Sequence, residues 1–346
     1  MKPIRVLVVE DSLVFQKLLV EALKLNVDIE VVATAVDPYE ARDAIVKYKP
    51  DVMTLDIELP KMNGIDFLRK LMPQYPMPVI VISSLSDRVF DALNAGAVDF
   101  VAKPAMTDRP KLEQLLKKDL PNKIRVASVA KLGVSNQAAK AAASTQVPKL
   151  SEKKRNDLVV AIGASTGGTE AISTVLKQFK SDIPGVVIVQ HMPPGFTESF
   201  ANRLNKTCEV EVKEARNGDQ VLPGRVLIAP GGDAHMSLVK VGDGYQVMIK
   251  KSPKVNGHCP SVDVLFESVA QAAGDKAVGI ILTGMGGDGA KGLLAMKQAG
   301  AKTIGQDAST CVVYGMPCVA YELGAVEHQE KLQDVAKRTY LLLNGM

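Results

Sequence analysis

The sequence predicts a two-domain α/β protein in which each domain is built on a mainly parallel sheet. Short apolar runs and amphipathic segments alternate along most of the chain, which is the pattern of βαβ units. The 346 residues are long for one domain and suit two of ordinary size. A stretch without aromatic residues, Ala127 to Arg155, separates the two alternating regions and marks the division between them.

Residues 1–120 contain five strand-and-helix units. Apolar runs rich in Val and Ile predict the strands, and amphipathic segments with helical periodicity predict the helices. Five such units in about 120 residues predict a doubly wound, flavodoxin-like (βα)5 domain. The predicted strands are Arg5–Val9, Glu30–Ala35, Asp51–Leu55, Pro78–Ile82 and Asp99–Val101, and the helices are Phe15–Lys24, Tyr39–Tyr48, Gly64–Met72, Arg88–Asn94 and Lys111–Lys118.

Polar residues follow four of these strands at their carboxyl ends, where ligands gather in this architecture. Glu10 and Asp11 follow the first strand, Asp56 the third, Ser83 the fourth and Lys103 the fifth. Carboxylate oxygens suit Mg²⁺, and a carboxylate at this edge can attack phosphorus as a nucleophile. The residues therefore suggest a Mg²⁺ site beside a phosphorylatable aspartate, the alternative being that each is a solvated cap at a loop end.

The stretches VVEDS, LDIELPKMNG, VISS and DFVAKP resemble the motifs of bacterial response regulator receiver domains. The resemblance implies a receiver domain over residues 1–120, with Asp56 as the phosphate acceptor. Glu10 departs from the pattern, since the family more often has aspartate there. The implied positions are the Mg²⁺ ligands Glu10, Asp11, Asp56 and the backbone carbonyl of Glu58, the switch hydroxyl Ser83, the switch aromatic Phe100 and the phosphate contact Lys103.

Residues 121–155 are predicted to form a flexible basic linker. The segment holds eight Lys and Arg residues against the single acid Glu152, and its Ala, Ser and Gln residues offer no apolar face. The net charge of the chain, +4, therefore comes from this segment, and the remainder is mildly acidic. The charge does not argue for nucleic-acid binding.

Residues 156–346 again alternate, and a β-rich region interrupts the pattern. They predict a Rossmann-like α/β domain with an antiparallel β insertion. After the opening strand Leu158–Ile162 and a helix from Thr169, the predicted strands are Gly185–Gln190, Val210–Glu214, Arg225–Ala229, Ala277–Thr283 and Thr303–Gly305, the hairpin is Ser237–Val241 with Tyr245–Lys250, and the helices are Phe196–Asn205, Val262–Ala273 and Gly289–Ala299.

The stretch GASTGG, residues 163–168, lies between the opening strand and helix of this domain. It fits the G-x-S-x-G pattern, whose small residues allow a sharp strand-to-helix turn with Ser165 at its tip. The following helix N-terminus offers free N–H groups to an anion. Ser165 is thus a candidate nucleophile, and the alternative is a tight anion-binding turn with a passive serine.

A serine nucleophile needs a base, and the chain has four histidines. His191 ends the strand IVQH at the sheet edge where Ser165 ends its own strand, and Asp288 follows a third strand in TGMGGDGAKG. We assign attack to Ser165, proton transfer to His191 and fixing of the imidazole tautomer to Asp288. The glycine-rich turn also places backbone N–H groups, for example at Met285, near a developing oxyanion.

The chain order Ser…His…Asp differs from the Ser…Asp…His order of α/β-hydrolases, so the turn is similar to theirs by convergence. A zinc site formed by His191, His235 and His258 is the rival interpretation of the histidines, although their spacing matches no metal signature. His191 as a polar residue at the edge of a sheet is the structural alternative.

The stretches GASTGG, QHMPPGFT, APGG, HCPSVDVLF and LTGMGGDGA resemble the catalytic domain of the chemotaxis protein-glutamate methylesterases, the CheB family. The resemblance implies phosphorylation-regulated hydrolysis of glutamate methyl esters on chemoreceptor cytoplasmic helices, and deamidation of particular glutamines. Ser165, His191 and Asp288 fall on the family's triad, with Thr166 and Met285 on the oxyanion and substrate side. The implied partners are methyl-accepting chemoreceptors as substrates and the chemotaxis histidine kinase as phosphodonor, with no cofactor for the ester chemistry.

Other function classes fit the sequence less well. The output half has no helix-turn-helix and is not basic, which argues against a DNA-binding regulator. A receiver fused to a module that only binds a partner, with Ser165 as a structural turn, remains open. No apolar run approaches a membrane span or a signal peptide, and four cysteines lack CxxC spacing, so we expect a cytoplasmic protein without membrane insertion. We also expect the protein to be a monomer.

Overall fold

The computed structural model describes residues 2–84, 86–133, 138, 141–142, 147–150 and 156–346. The chain divides into two compact units, Met1–Leu132 and Gly133–Met346. Most of the predicted linker after residue 133 lies outside the described residues. No helix among the described ranges is long and apolar enough to cross a membrane.

The first unit contains a five-stranded parallel sheet with the strand order β2-β1-β3-β4-β5. This order is that of flavodoxin-like domains, so the predicted fold is confirmed. Every strand begins and ends within one residue of its predicted limits. The elements are β1 (Ile4–Val9), α1 (Leu13–Lys24), β2 (Ile29–Ala35), α2 (Pro38–Tyr48), β3 (Val52–Asp56), α3 (Gly64–Leu71), β4 (Val79–Ser83), α4 (Ser86–Asn94), β5 (Asp99–Ala102) and α5 (Arg109–Gln114).

Local sequence signals explain where these helices begin. Ser12, Asp37 and Asn63 occupy the N-cap positions of α1, α2 and α3, and each side chain accepts a hydrogen bond from a backbone N–H of the first turn. Such caps satisfy donors that the helix itself leaves unpaired. Strands β3 and β4 are buried along their whole length, which explains their nearly continuous apolar runs in a sheet covered on both faces.

The last helix of the first unit is longer than predicted. After α5, the chain continues through a π-helical turn, Leu115–Asp119, into α6, Leu120–Ser128. Leu120, Ile124 and Ala127 are buried, and their spacing forms one apolar face. The first unit therefore continues as a helix beyond the predicted domain end at residue 120, and residues 121–128, which were predicted as linker, are helical.

We expect Ile124→Ala to lower the free energy of unfolding of the first unit. The Ile124 side chain is fully buried, and removing such a side chain costs about 2–5 kcal/mol. Urea unfolding monitored by circular dichroism measures the loss. Lys118→Ala, at an exposed position on the preceding turn, is the control. An Ile124→Ala loss no larger than that of Lys118→Ala would show that α6 does not contribute to the packed unit.

The second unit contains a seven-stranded sheet in which all paired strands are parallel, with the order β15-β14-β13-β6-β7-β10-β8. The Rossmann-like prediction is confirmed. The strands of this sheet are β6 (Val159–Ala164), β7 (Gly185–Gln190), β8 (Glu211–Glu214), β10 (Arg225–Ile228), β13 (Ala277–Ile281), β14 (Lys302–Gln306) and β15 (His328–Glu330). The helices are α7 (Gly168–Leu176), α8 (Phe196–Asn205), α9 (Val262–Ala273), α10 (Ala290–Gln298), α11 (Met316–Glu322) and α12 (Val335–Asn344).

The predicted antiparallel insertion is also confirmed. It is a three-stranded sheet of β11 (Ala234–Val241), β12 (Gly244–Lys251) and the short β9 (Gln220–Val221), in the order β11-β12-β9. Helix α9 covers it, and the hydroxyl of Ser268 accepts a hydrogen bond from the N–H of Leu238 at 2.8 Å. Strand β15 and helices α11 and α12, which lie beyond residue 305, were not predicted from the sequence.

The strand order determines where a site can form. Strand β6 lies between β13 and β7 at the centre of the sheet. The chain leaves β6 to form β7 on one side and later forms β13 on the other, so the strand order reverses at β6. Ligand sites in open α/β sheets form at the carboxyl ends of the strands beside such a reversal. The segments after β6, β7 and β13 therefore meet at one edge.

Candidate active site

The segment after β6 is a tight turn with Ser165 at its start. The Ser165 N–H donates to the carbonyl of Thr283 at 3.0 Å, and the Ser165 carbonyl accepts from the N–H of Gly168 at 2.7 Å. Gly167 has φ 77° and ψ −3°, the third-residue geometry of a type II turn, which favours glycine. Helix α7 begins at the next residue, so the turn places the partly exposed Ser165 beside a helix N-terminus.

His191 follows β7 and is paired with Asp288. The distance from Nε2 of His191 to Oδ2 of Asp288 is 2.8 Å, and the side chains are 8% and 1% exposed. Asp288 also accepts hydrogen bonds from the Ser261 hydroxyl at 2.7 Å, the Asn256 amide at 2.8 Å and the Val262 N–H at 2.7 Å. Burial opposes ionisation of Asp288, but the His191 hydrogen bond and charge, with the Asn256 and Ser261 donors, hold the pKa of its carboxyl below the usual range.

This pairing determines which imidazole nitrogen is free. Because an ionised Asp288 accepts from Nε2–H, the neutral ring of His191 carries its lone pair on Nδ1. Nδ1 is buried and has no hydrogen-bond partner in the described part of the chain. The ring of His258 stacks on the ring of His191, with ring centroids 3.8 Å apart and planes inclined by 4°. Asp288 thus holds the His191 ring in place, and one ring nitrogen is available to accept a proton.

The loop after β13 lies against the Ser165 turn. A Cβ at Gly284 would be 2.7 Å from Cβ of Ser165, so only glycine permits this approach. The next residue, Met285, has a half-exposed side chain, and its N–H donates to no acceptor within the described residues. Thr166 is buried, and its carbonyl accepts from the Thr283 hydroxyl at 3.0 Å. The loop therefore brings the Met285 N–H to the edge at which Ser165 lies.

The first unit carries a separate cluster of acidic residues at the carboxyl ends of β1 and β3. Glu10, Asp11 and Asp56 each offer a carboxylate oxygen within 4.8 Å of the others. Lys103 Nζ lies 2.8 Å from Oε1 of Glu10 and 2.5 Å from Oδ2 of Asp56. The N–H of Glu58 donates to Oδ1 of Asp56 at 2.9 Å. The structure thus brings together Glu10, Asp11, Asp56 and Lys103, which the sequence placed at one sheet edge, and the contact made by Glu58 is through its N–H.

The electrostatics of this cluster fit a divalent cation. Burial, together with the charge of Asp56, raises the pKa of Glu10 to about 7, although the hydrogen bond from Lys103 lowers it. A second positive charge would relieve this crowding of carboxylates, and the oxygen donors are those that Mg²⁺ prefers. Ser83 and Phe100 are buried at the end of β4 and in β5, and the Phe100 ring packs edge-on against Phe90 at 6.5 Å between centroids.

Two protein families match this chain, one for each unit. Residues 160–339 match the CheB methylesterase family, and residues 6–117 match the response regulator receiver domain. The chain belongs to the CheB methylesterase family. It is 58% identical, over all of its own length and 99% of the relative's, to protein-glutamate methylesterase/protein-glutamine glutaminase 2 of Syntrophomonas wolfei.

Two further relatives show the same relationship. The protein-glutamate methylesterase/protein-glutamine glutaminase of Syntrophotalea carbinolica is 52% identical, over 99% of this chain and 98% of the relative. Among solved structures, the CheB methylesterase catalytic domain of Thermotoga maritima has a TM-score of 0.52 and 39% identity, and the match covers 54% of this chain and 98% of that one. The two-part architecture is thus that of the CheB family.

The zinc alternative for the histidines is wrong. Nδ1 of His235 accepts from the N–H of Ser261 at 3.1 Å, and its Nε2 lies 2.9 Å from the carbonyl of Pro253, so neither nitrogen is left for a metal. Nε2 of His191 is engaged with Asp288. Within the described residues, the one cluster with metal-binding spacing is Glu10, Asp11 and Asp56.

Three residues around Asp288 were not predicted from the sequence. Asn256 donates to both Asp263 and Asp288 through one amide nitrogen, at 2.7 and 2.8 Å, and its φ is 52°. Ser261 donates to Asp288, and the N–H of Asp263 does so at 3.3 Å. Asn256 precedes Gly257, and this Asn-Gly pair signals a turn but gives no indication that the amide faces a catalytic acid.

Proposed function

We propose that this chain is a protein-glutamate methylesterase that hydrolyses γ-glutamyl methyl esters on the cytoplasmic helices of chemoreceptors, and that it also deamidates particular glutamines there. The names of its relatives support both activities. The observation that carries the proposal is the buried His191–Asp288 pair at the strand end adjoining the Ser165 turn, with a free nitrogen on the ring. These groups suit acyl transfer through a serine nucleophile.

In the acylation step, the Ser165 hydroxyl attacks the ester carbonyl carbon while Nδ1 of His191 takes its proton. The imidazolium formed is stabilised by Asp288, whose carboxylate remains ionised. The Met285 N–H and the N-terminal end of α7, near Thr166, are the donors we assign to the developing oxyanion. The intermediate collapses by breaking the carbon–oxygen bond to the methoxy group, which leaves as methanol with the proton from His191.

Deacylation repeats these steps with water as the nucleophile. His191 removes a proton from water, which attacks the glutamyl ester of Ser165, and the Ser165 oxygen leaves with that proton. The product is a free glutamate side chain. When the substrate is a glutamine, the leaving group of the first step is ammonia, and the second step is the same. No cofactor takes part in this chemistry.

For the receiver domain, we propose that Asp56 accepts a phosphoryl group from the chemotaxis histidine kinase. Glu10, Asp11, Asp56 and the Glu58 carbonyl would hold Mg²⁺, which neutralises charge on the phosphoryl oxygens when it is bound. Lys103 would contact the phosphoryl group. Ser83 and Phe100 would be the switch residues. We further propose that the receiver domain ends at Ser128, that the catalytic domain covers 156–346, and that the protein acts as a cytoplasmic monomer.

Methanol release from methylated receptor membranes tests this function. The protein is incubated with membranes carrying ³H-methyl esters, with and without acetyl phosphate and Mg²⁺, and volatile radioactivity is measured. We expect release that the phosphodonor increases. Absence of release under every condition would place the second unit among modules that only bind a partner.

We expect Asp56→Ala to retain basal methanol release but to lose the increase caused by acetyl phosphate and Mg²⁺. The variant lacks the carboxylate that would carry the phosphoryl group, whereas the second unit keeps all its residues. Asp51→Ala, an exposed aspartate just before β3, is the control and should respond as the wild type does. A full response of Asp56→Ala to the phosphodonor would remove Asp56 as the regulatory site.

A further inference from the structure

The side chain of Gln190 joins the two halves of the proposed site. Gln190 is the last residue of β7 and is 3% exposed. Its Nε2 donates to the carbonyl of Ser165 at 2.9 Å and to the carbonyl of His191 at 3.2 Å. One buried amide nitrogen therefore contacts the backbone of the nucleophile and the backbone of the base.

We propose that Gln190 is a positioning residue that fixes the separation of the Ser165 turn from His191. The inference rests on the proposed function in one respect, since it takes these two residues as nucleophile and base. The N–H of His191 also donates to the carbonyl of Ala164 at 3.1 Å, so the two segments are joined on both sides of the strand end. The Gln190 amide is the part of this junction that comes from a side chain.

The chemistry of the position explains why an amide is suited to it. The Ser165 carbonyl already accepts from the N–H of Gly168, and the second donor completes its hydrogen bonding. The side-chain amide supplies two N–H donors from one nitrogen without introducing a buried charge. A lysine would bring such a charge, and a carboxylate would place acceptors against acceptors.

The carbonyl oxygen of the Gln190 side chain indicates that a contribution to folding stability does not explain why glutamine occupies this position. Oε1 of Gln190 is buried and has no hydrogen-bond partner in the described part of the chain, which is unfavourable for folding. A Cβ at Gly168 would lie 2.1 Å from Oε1, so the glycine leaves the space that the amide occupies. The turn and Gln190 fit each other closely, although the fit leaves a buried acceptor unpaired.

Gln178 provides a matched control in the same unit. It is 8% exposed, its Nε2 donates to the carbonyl of Thr174 at 3.1 Å, and its Oε1 is also buried without a partner in the described residues. Its hydrogen bond closes back on α7 and contacts neither Ser165 nor His191. Replacing either glutamine with methionine keeps the length of the side chain and removes its donors.

The experiment compares Gln190→Met with Gln178→Met in the full chain, using methanol release and thermal unfolding. We expect kcat of Gln190→Met to fall about 10- to 100-fold, because small misplacement of reacting groups has effects of this size. KM should change by less than about threefold, since KM reflects ground-state binding of the substrate when the chemical step is slow. Labelling of Ser165 by a fluorophosphonate should slow in parallel with kcat. Gln178→Met should show a similar change in Tm with unchanged kcat and labelling.

Gln190→Asn is the second variant, in case methionine prevents folding. It keeps the amide and fits the space, but it is one methylene too short to reach both carbonyls, so we expect the same loss of kcat. If either folded Gln190 variant keeps kcat and labelling within about threefold of the wild type, the positioning role is wrong. Ser165→Ala separates the two hypotheses: activity in that variant rejects the proposed nucleophile, whereas its inactivity beside active Gln190 variants rejects this inference alone.

Discussion

Ser165→Ala should reduce methanol release by about 10⁴-fold or more, since removing the nucleophile of a serine hydrolase has effects of this size or larger. The variant loses the atom that forms the acyl-enzyme. The other hydroxyl in the turn, that of Thr166, is buried and does not replace it. The fold should be unaffected, because the hydrogen bonds that hold this turn use the backbone of Ser165. The measurement is the rate of release at saturating substrate, with thermal unfolding as a check on structure.

Ser173→Ala is the matched control for this experiment. Ser173 lies in α7, two turns from the nucleophile, and is partly exposed. The same chemical change there should leave the rate unaltered. Release by Ser165→Ala at more than about a hundredth of the wild-type rate would show that Ser165 is not the nucleophile, because residual catalysis without it is far smaller.

The place of the site was predictable from the sequence because parallel strands share an edge. Ser165, His191 and the segment carrying Asp288 each follow an apolar run, so their meeting required only that three runs be neighbours. The same argument located Glu10, Asp56 and Lys103. In both units, continuous apolar runs indicated the buried strands clearly, and only a few polar residues followed each run.

The residues that hold the catalytic side chains in place were not predictable in this way. Asn256 reaches Asp288 from a loop that carries no strand or helix signal, and it does so with a positive φ. Gln190 reads as the polar end of a strand, and nothing in the sequence shows that its amide turns back to the Ser165 carbonyl. The apolar face of α6 was missed because Pro121 and several basic residues resemble a linker, although proline is compatible with the first turn of a helix.

Asp288→Asn should lower kcat by about 10⁴-fold, as the equivalent change does in serine proteases where the wrong imidazole tautomer results. Both Asp288 oxygens accept hydrogen bonds: Oδ2 from Nε2 of His191 and the N–H of Val262, and Oδ1 from Ser261, Asn256 and the N–H of Asp263. An asparagine has one acceptor and one donor group for these five donors. With its NH₂ toward His191, it makes Nε2 the acceptor, so the proton moves to Nδ1 and the base is lost.

Asp263→Asn is the matched control, since Asp263 is a buried neighbour that shares the Asn256 donor without contacting His191. The kcat of Asp263→Asn should stay within about tenfold of the wild-type value, because the tautomer of His191 is unchanged. If both variants lose the same activity, the carboxylate network as a whole, and not the His191 contact, would account for the effect.

The pH dependence of stability gives an independent check on Asp288. Folding lowers the pKa of Asp288 from its value in the unfolded chain, near 3.8. The carboxylate therefore stabilises the native state at pH values above 3.8, and this contribution is lost as the pH falls below 3.8 toward the pKa of the folded state. Asp288→Asn should therefore be less stable than the wild type at pH 7, and the difference should shrink only below about pH 4. Urea unfolding at pH 7, 5 and 3.5 measures it. A difference that disappeared already between pH 7 and 5 would mean that the group titrating is not Asp288, and the hydrogen bond assigned between its carboxylate and His191 would not account for the stability.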